Sequence, residues 1–474
     1  MEVKKIGMIG LGPMGKGLSL NMMDKGIDVI GYDINPEIRN KVAEQGIKIV
    51  NSLEALSDSF KRARKVIWIM VPASKVDDVL KDVSGYLSPG DILIDGSNSH
   101  FEDTERRFKE AKINRLVFIG VGISGGEEGA LKGPCIMPGG ERNAYDAVES
   151  ILKTIASKVD GEPCCTYIGP GGAGHFVKIV HNGMLYAIMQ AIAETYHILK
   201  EGLALEMERI HKYFQEWMRN ELSGNYLIKV SMKILSTDDH KTGKSILEVI
   251  KDIAREKGTG KWACQKAHDL RVPVPSINAA LLARIISLYK NERAITSSIL
   301  KSPDWKDKGD EDKFAHHICK ALDASIKIAY AQGFALIGAG SEEYNYSLKP
   351  AKIAHIWRGG CVIRSKTLSM IEEAFTENPN LVNLMIAPQF SNALNSEISS
   401  LRYVVQTAVS CGIPVLVLSQ SISYFDSYRA KVLPSASFIQ AMRDFIGAHT
   451  YERFDEPGVY HTLWAQKGHP EYRK

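Results

Sequence analysis

Four polar side chains that could do chemistry share one predicted helix. Lys178, His181, Asn182 and Tyr186 lie at positions i, i+3, i+4 and i+8 of a stretch with helical apolar spacing, which places them on one face. An amine, an imidazole, an amide and a phenol on one face can bind an anion and move a proton, so this face is predicted to line a site. Leu185, at i+7, lies on the same face and can do neither.

A second group of residues, near the N-terminus, predicts a dinucleotide site. Residues 4–10 have the pattern of a buried strand, followed by a glycine-rich turn and then a helical pattern. In this order the glycines let the backbone approach a pyrophosphate, and the helix N-terminus faces its negative charge. We expect Gly10, Gly12, Met14 and Gly15 to bind the cofactor; the alternative is a plain tight turn.

The residue that closes the next predicted strand bears on the choice of cofactor. Asp33 lies close to the offset at which an acid holds a ribose 2′-hydroxyl. A carboxylate repels a 2′-phosphate, Ile34 follows it, and no arginine comes before Arg39. The pattern favours NAD over NADP as the cofactor; the alternative is an aspartate that caps a turn.

Strand and helix patterns alternate through the first third of the chain, which predicts an α/β Rossmann domain with a doubly wound parallel sheet. Ligands of such sheets bind at the carboxyl ends of the strands. Three turns are predicted at those ends, and they contain Val71 and Pro72, then Asn98, then Ser124 with Gly125 and Gly126.

Helical patterns replace strand patterns after the glycine-rich stretch 169–174. We predict a dinucleotide-binding Rossmann domain over 1–175, a large all-α domain over 176–434 and an extended C-terminal tail over 435–474. The tail is polar and aromatic, so we expect it to pack on its own domain or on a partner subunit rather than to fold alone.

Bulk composition excludes several classes of protein. The 474 residues are 45% hydrophobic and 24% charged, with a net charge of +4, which is typical of a globular protein and does not suggest nucleic-acid binding. The seven cysteines are scattered without a C-x-x-C pair, which predicts buried free thiols rather than disulfides or zinc ligands. We expect no metal site, no signal peptide, no membrane span and a cytoplasmic location.

The residues themselves indicate a reaction class. Lys257, Arg284 and Arg443 are cationic candidates for the cleft beside the Lys178 helix. Hydride transfer between a nicotinamide and a secondary alcohol on a small anion fits this set. Lys178 would be the base, because neighbouring cations lower the pKa of a lysine. For Arg284, an internal ion pair is the alternative to a substrate contact.

The sequence resembles 6-phosphogluconate dehydrogenase, the decarboxylating family of the pentose phosphate pathway, over essentially its whole length. The motifs that carry the resemblance are Gly10–Gly15, Asp95–Ser99, Ser124–Gly129, Met137–Gly140, Lys178–Gly183, Lys257–Trp262, Trp357–Cys361 and Arg443–Glu452.

The resemblance implies a function and roles for individual residues. The reaction would be oxidative decarboxylation of 6-phosphogluconate to ribulose 5-phosphate, with Lys178 as the general base and Asn98 bridging nicotinamide and substrate. The resemblance implies three further groups of substrate contacts. At the carboxylate end they are Ser124, Gly125 and Gly126, and on the predicted helix they are His181, Asn182 and Tyr186. At the phosphate end they are Lys257 (through its backbone N–H), Thr259, Arg284 and Arg443. Arg443 and His449 belong to a tail that, in the family, reaches the other subunit's site, which implies a homodimer.

Two departures from the family pattern stand out. Most of the family has Asn-Arg where this chain has Asp33-Ile34, and that arginine serves the 2′-phosphate of NADP. Leu185 occupies the position of the family's general-acid glutamate. Two further functions therefore stay open: a dehydrogenase of another 3-hydroxy sugar acid, and a ligand-binding protein without turnover.

Overall fold

The computed structural model describes residues 4–61, 63–303 and 310–473. The chain forms two compact units, Met1–Ile422 and Ser423–Lys474. The first unit contains an α/β part followed by a helical part, and the second contains the end of one helix, a further helix and a small sheet.

A seven-stranded sheet forms the α/β part. Its strands are β1 (Lys5–Ile9), β2 (Asp28–Tyr32), β3 (Lys48–Ile49), β4 (Val66–Ile69), β5 (Ile92–Asp95), β6 (Val117–Ser124) and β7 (Cys135–Gly140), and a separate hairpin follows as β8 (Lys158–Val159) and β9 (Glu162–Pro163). The spatial order is β3-β2-β1-β4-β5-β6-β7. All pairs are parallel except β6 with β7. The predicted doubly wound parallel sheet is confirmed, with one antiparallel strand at its edge.

Both faces of this sheet are covered, because alternate residues of a strand face opposite sides. Ile6 and Met8 of β1 enter one hydrophobic core and Ile9 enters the other. The strand order reverses between β1 and β4, and the crevice at such a switch point is where doubly wound sheets bind ligands. The helices of this part are α1 (Pro13–Asp24), α2 (Pro36–Ala43), α3 (Leu53–Asp58), α4 (Val76–Ser84), α5 (Phe101–Ile113), α6 (Gly126–Lys132) and α7 (Arg142–Ile155).

Helices make up the rest of the first unit, and the last of them continues into the second unit. They are α8 (Ala173–His197), α9 (Met207–Arg219), α10 (Tyr226–Leu235), α11 (Ile246–Val249), α12 (Thr259–Asp269), α13 (Pro275–Leu288), α14 (Lys290–Ile299), α15 (Glu311–Glu343), α16 (Pro350–Trp357), α17 (Thr367–Glu377), α18 (Pro388–Ser410) and α19 (Leu416–Arg429).

α8 packs closely against the sheet at positions where glycine leaves room for the neighbouring backbone. A Cβ on Gly174 would lie 2.7 Å from the carbonyl oxygen of Gly120, and a Cβ on Gly122 would lie 2.6 Å from the Cβ of Lys178. Only glycine permits this approach of helix to strand. β6 therefore fixes where the first turns of α8, and with them Lys178, lie.

Among the described residues, one stretch is long and apolar enough to cross a membrane. It is Ala173–Gly202, which comprises α8 and the π-helical turn after it. We predicted no such stretch, since polar residues interrupt its apolar run. Of its most apolar window, 78% is buried inside the protein. Core helices of this kind pass the same test, so the finding is weak evidence for a span.

The second unit is organised by a buried carboxylate. Asp444 accepts hydrogen bonds from the backbone N–H groups of Thr450 (2.9 Å) and Thr462 (3.1 Å), from His461 Nδ1 (2.8 Å) and from Trp464 Nε1 (3.0 Å). The elements that it joins are α20 (Pro434–Gly447) and the antiparallel strands β10 (Tyr451–Glu452), β11 (Val459–Thr462) and β12 (Glu471–Arg473). The tail that we predicted as extended thus contains regular structure. The domain borders predicted after residues 175 and 434 stay predictions.

Candidate functional site

The predicted polar face of α8 is buried. The exposed fraction is 7% for Lys178, Asn182 and Tyr186 and zero for His181. Leu185 lies on the same face and is half-buried. A helix face with four polar side chains is unusual in the interior of a protein, because each buried polar group needs a hydrogen-bond partner or a ligand.

Lys178 lies in this interior without an anionic partner. Its ammonium group makes no hydrogen bond or ion pair with the described residues, and burial lowers the pKa of Lys178 to about 8. An amine with this pKa is partly neutral near physiological pH and can accept a proton. The sequence led us to expect this effect from neighbouring cations, whereas its cause is burial.

His181 holds the side chains around it in place. Its Nε2 lies 3.0 Å from Ser124 Oγ and 3.0 Å from Cys361 Sγ, and its Nδ1 lies 3.0 Å from Asn182 Oδ1. Burial, and next the charge of Lys178, lower the pKa of His181. The imidazole is therefore neutral, and it links the end of β6 to α8.

The glycine-rich turn after β1 has the geometry of a dinucleotide site. Gly10 adopts a φ of +92°, and a Cβ on Gly15 would lie 2.0 Å from the carbonyl oxygen of Gly10. A Cβ on Gly12 would meet nothing within 4 Å. The backbone is tightly packed at Gly10 and Gly15 and open at Gly12, so a pyrophosphate fits at the N-terminus of α1. Met14, in the first turn of α1, packs against the sheet core.

The turn after β2 is held by Asp33. One carboxylate oxygen accepts the backbone N–H of Leu11 (2.8 Å) and the other that of Asn35 (2.9 Å). Ile34 is 85% exposed. Arg39 donates to the carbonyl oxygen of Asp33 at 2.7 Å, so its guanidinium lies close to this turn, which the sequence could not indicate.

Two further predicted cofactor turns lie at the same edge of the sheet. Val71 adjoins the glycine-rich turn, since its Cγ1 is 2.9 Å from where a Cβ on Gly10 would lie. Pro72 precedes a 3₁₀ turn, Ala73–Lys75. Asn98 is exposed in the turn after β5.

The turn that presents Asn98 depends on two residues that we missed in the sequence. Asp95 is fully buried and accepts hydrogen bonds from the backbone N–H of Ser97 and from Ser99 Oγ. Its third partner is Arg107 of α5, at 3.1 Å. The spacing between Asp95 and Arg107 gives no recognisable pattern, so only the fold reveals this pair.

The predicted carboxylate-binding loop follows β6 directly. Gly125 and Gly126 have φ values of +134° and +64°, which other residues rarely adopt. Ser124 is buried and lies against His181. The structure therefore joins this loop to the polar face of α8.

Two of the predicted phosphate-end elements, Arg284 and the turn of Thr259, meet at the other end of that face. The Arg284 guanidinium lies 3.6 Å from the centre of the Tyr186 ring. A Cβ on Gly260, in the turn that begins with Thr259, would lie 2.2 Å from the same ring. The alternative of an internal ion pair for Arg284 is wrong, since no carboxylate of the described residues lies within 4.0 Å. Lys257, two residues before Thr259 in the sequence, is exposed.

Arg443 and His449 lie in the second compact unit. Arg443 donates to Gln440 Oε1 at 2.9 Å. The first unit by itself thus contains every predicted site residue except these two.

The described ranges were also searched for clusters of metal-ligating side chains. They contain no group of three or more histidine, cysteine, aspartate or glutamate side chains placed to hold a metal ion. All seven cysteines are buried and carry free thiols.

The chain was compared with known families and proteins. Residues 5–169 match the family model described as the NAD binding domain of 6-phosphogluconate dehydrogenase, and residues 174–464 match the one described as 6-phosphogluconate dehydrogenase, C-terminal domain. The chain belongs to the 6-phosphogluconate dehydrogenase family.

Individual relatives cover the whole chain. A Bacillus subtilis protein named NADP(+)-dependent, decarboxylating 6-phosphogluconate dehydrogenase is 45% identical, with 98% of this chain and 100% of the relative aligned. A second B. subtilis protein, named as the NAD(+)-dependent enzyme, is 44% identical over 97% and 99%. The solved Plasmodium falciparum 6-phosphogluconate dehydrogenase is 36% identical, with a TM-score of 0.92 over 97% of this chain and all of that one. Relatives of both cofactor types are thus about equally similar.

We expect Lys178→Met to stabilise the protein. Burial of an unpaired amine whose pKa falls from 10.5 to about 8 costs about 3 kcal/mol at pH 7. The variant should raise the free energy of unfolding by about that amount, measured by urea unfolding. Between pH 8 and 10.5 the unfolded wild type binds more protons than the folded one, so wild-type stability should rise with pH and the difference should shrink.

Lys327→Met is the matched control, because Lys327 is equally buried but paired. Its Nζ lies 2.6 Å from Asp323 and 2.9 Å from Glu397. Removing it leaves two buried carboxylates without a cation, which should lower the free energy of unfolding by about 3–5 kcal/mol. A loss of stability in both variants would contradict the unpaired state of Lys178.

Proposed function

We propose that this protein catalyses the oxidative decarboxylation of 6-phosphogluconate to ribulose 5-phosphate and CO2, with NAD as the preferred hydride acceptor. The observation that carries the proposal is the buried, unpaired amine of Lys178 on a helix that packs beside a dinucleotide-binding sheet. Family membership makes the sugar acid the expected substrate.

The first step requires a base at the substrate's 3-hydroxyl. Lys178, as the neutral amine, takes that proton while the hydride leaves C3 for the nicotinamide, which is the chemistry that the cofactor supplies when bound. The product is a β-keto acid. It loses its carboxylate as CO2, and the bonding electron pair moves toward the C3 carbonyl, where the Lys178 ammonium returns its proton to give an enediol.

Other residues bind and orient the substrate. We assign the carboxylate end to Ser124 and the glycine-rich loop after it, and the hydroxyl groups to His181 and Asn182. We assign the phosphate end to the residues around Arg284, whose guanidinium has no protein counter-ion in the described part of the chain. Asn98 projects from the cofactor edge of the sheet toward the nicotinamide and the substrate.

In the last step the carbon that lost the carboxylate gains a proton, while the neutral Lys178 amine takes the proton of the C3 hydroxyl and the C3 carbonyl forms again. The family's glutamate donates the proton to the carbon, and Leu185 cannot. We propose that the step proceeds from water in this protein and limits turnover. Leu185 also favours a second function, the oxidation of another 3-hydroxy sugar acid whose reaction ends before such a step.

The preference for NAD rests on the turn after β2. Both carboxylate oxygens of Asp33 are oriented by backbone N–H groups and can still accept ribose hydroxyls. A 2′-phosphate would meet this carboxylate and the apolar side chain of Ile34. Arg39 is engaged with the backbone carbonyl oxygens of Asp33 and Ile34.

We also propose a homodimer in which the tail completes the partner's site. α20 exposes apolar side chains that a lone chain would leave in water, with Phe438 68%, Phe445 66% and Ile446 82% exposed. Such a surface marks an interface. Arg443, on the same helix, and His449, just after it, would then be the phosphate contacts that the first unit lacks.

A product assay tests the function. Incubation with 6-phosphogluconate and NAD should yield NADH and CO2 in equal amounts. NADH without CO2, or turnover only with another sugar acid, would favour the second function. Binding of 6-phosphogluconate without turnover at any pH would contradict both.

The cofactor preference is tested by the double variant Asp33→Asn/Ile34→Arg. The wild type should use NAD with a higher kcat/KM than NADP, and the variant should gain about 10- to 100-fold in kcat/KM for NADP, the range expected for a new charged hydrogen bond to the phosphate. Glu37→Gln, which removes a nearby exposed carboxylate, should change neither value. A wild type that prefers NADP would refute the role given to Asp33.

The role of Leu185 is tested by Leu185→Glu with Leu185→Gln as its isosteric control. If the final protonation limits turnover, the glutamate variant should raise kcat by about 100-fold, the lower end of the range for a general acid. Glutamine cannot deliver the proton and should not raise it. Equal effects of both variants would mean that the acid is supplied elsewhere.

The exchanged tail is tested by mixing two inactive variants, Lys178→Ala and Arg443→Ala, after unfolding them together and refolding. If the tail acts in the partner's site, each mixed dimer has one intact site, and about a quarter of wild-type activity should return. If the tail serves its own subunit, both sites of a mixed dimer are broken and no activity returns.

A further inference from the structure

One motif of the sequence has no role in the proposed function. It is Trp357–Cys361, which begins at the end of α16. The Trp357 indole N–H donates to Met137 Sδ at 3.3 Å, and its ring lies edge-on to that of His181, with 5.5 Å between the centres. Trp357 is fully buried. The motif therefore packs directly behind the polar face of α8.

The backbone after Trp357 is fixed on the sheet. Gly360 adopts a φ of +60°, and its carbonyl oxygen accepts the N–H of Cys135 at 3.1 Å. Val362 N–H donates to Ser124 Oγ at 3.3 Å. The residue between them, Cys361, thus has its side chain directed at one place.

That place is a buried cluster formed by His181, Ser124 and Cys135. Cys361 Sγ lies 3.0 Å from His181 Nε2 and 3.4 Å from Ser124 Oγ, and Cys361 and His181 are fully buried. Cys135 shares a hydrogen bond with the same sulfur, and burial of this pair disfavours a thiolate beside the neutral imidazole. Cys361 therefore keeps a proton, which a thiol can donate to a ring nitrogen at this distance.

The hydrogen bonds around His181 define one tautomer. Asn182 Oδ1 can only accept, so His181 Nδ1 carries the proton and donates to it. In the neutral ring, Nε2 must then be an acceptor. Its two neighbours, the Ser124 hydroxyl and the Cys361 thiol, are both able to donate, so the arrangement is consistent throughout.

The same hydrogen bond fixes which way the Asn182 amide faces. Because its oxygen is bound to His181, its Nδ2 group must face the opposite way. That group donates to no residue of the described chain, and Nδ2 is not buried from solvent. Its two N–H donors are therefore available to hydroxyl or carboxylate oxygens of the substrate.

We propose that Cys361 is a positioning residue: its thiol holds His181 as an acceptor at Nε2, and His181 in turn holds the Asn182 amide with its donors toward the substrate. This inference rests on the proposed function, since it takes Asn182 as a substrate contact. It assigns to the Trp357–Cys361 motif the role of orienting His181, which no residue of α8 itself performs.

The test compares Cys361→Ala, Cys361→Ser and the control Cys165→Ala. Alanine cannot donate, and it should lower kcat/KM for 6-phosphogluconate by about 3- to 10-fold, the worth of one hydrogen bond, while KM for the cofactor stays unchanged. Serine keeps a donor and should restore most of the loss. Cys165 is equally buried and makes no contact with His181, so its variant should match the wild type.

A double-variant cycle separates positioning from a general packing defect. In an Asn182→Ala background, Cys361→Ala should cause no further loss, because the amide that it orients is gone. An additive loss, a failure of serine to restore activity, or no loss in Cys361→Ala alone would each overturn the inference.

A measurement that needs no turnover keeps this inference distinct from the function. With ¹⁵N-labelled histidine, the His181 ring, assigned by its absence in His181→Gln, should show a protonated Nδ1 in the wild type and a mixture of tautomers in Cys361→Ala. An unchanged tautomer would overturn the inference even if 6-phosphogluconate is the substrate. A changed tautomer in a protein that does not oxidise 6-phosphogluconate would support it while the proposed function fails.

Discussion

The burial of one amine without a counter-ion shapes this structure. Lys178 lies on a helix whose first turns approach the sheet closely at Gly122 and Gly174. Any larger side chain at these positions would push α8 outward and admit water to the amine. The close approach buries the Lys178 amine, which lowers the free energy of unfolding. The same burial makes the amine a base that works near neutral pH.

The same helix joins the two halves of the site. Its N-terminal turns adjoin β6, and Tyr186 adjoins α12 and Arg284, so cofactor and phosphate regions have fixed positions relative to Lys178. Outside α8, Glu105 of α5 strengthens the junction: it accepts the backbone N–H of Gly172 at 2.6 Å and the hydroxyl of Tyr346 at 2.8 Å. The α/β and helical parts of the first unit are thus held at the point where the chemistry is expected.

Much of this could be predicted from the sequence because it depends on local patterns. The glycine-rich turn, the strand alternation and the spacing from Lys178 to Tyr186 follow from backbone geometry and helical periodicity. Partners distant in sequence could not be predicted. The pairs Asp95–Arg107 and His181–Cys361 form only once the fold brings their elements together, and neither has a distinctive spacing. The tail was the least predictable part, because Asp444 organises it through four contacts that no short pattern contains.

The central claim is that burial makes Lys178 a base near neutral pH, and the pH dependence of kcat/KM for 6-phosphogluconate tests it most directly. On the acid side, the value should rise about tenfold per pH unit and level off near pH 8, since only the neutral amine accepts the proton. An acid limb that levels off near pH 10, the range of an ordinary lysine, or a profile that is flat between pH 6 and 9 would contradict the account.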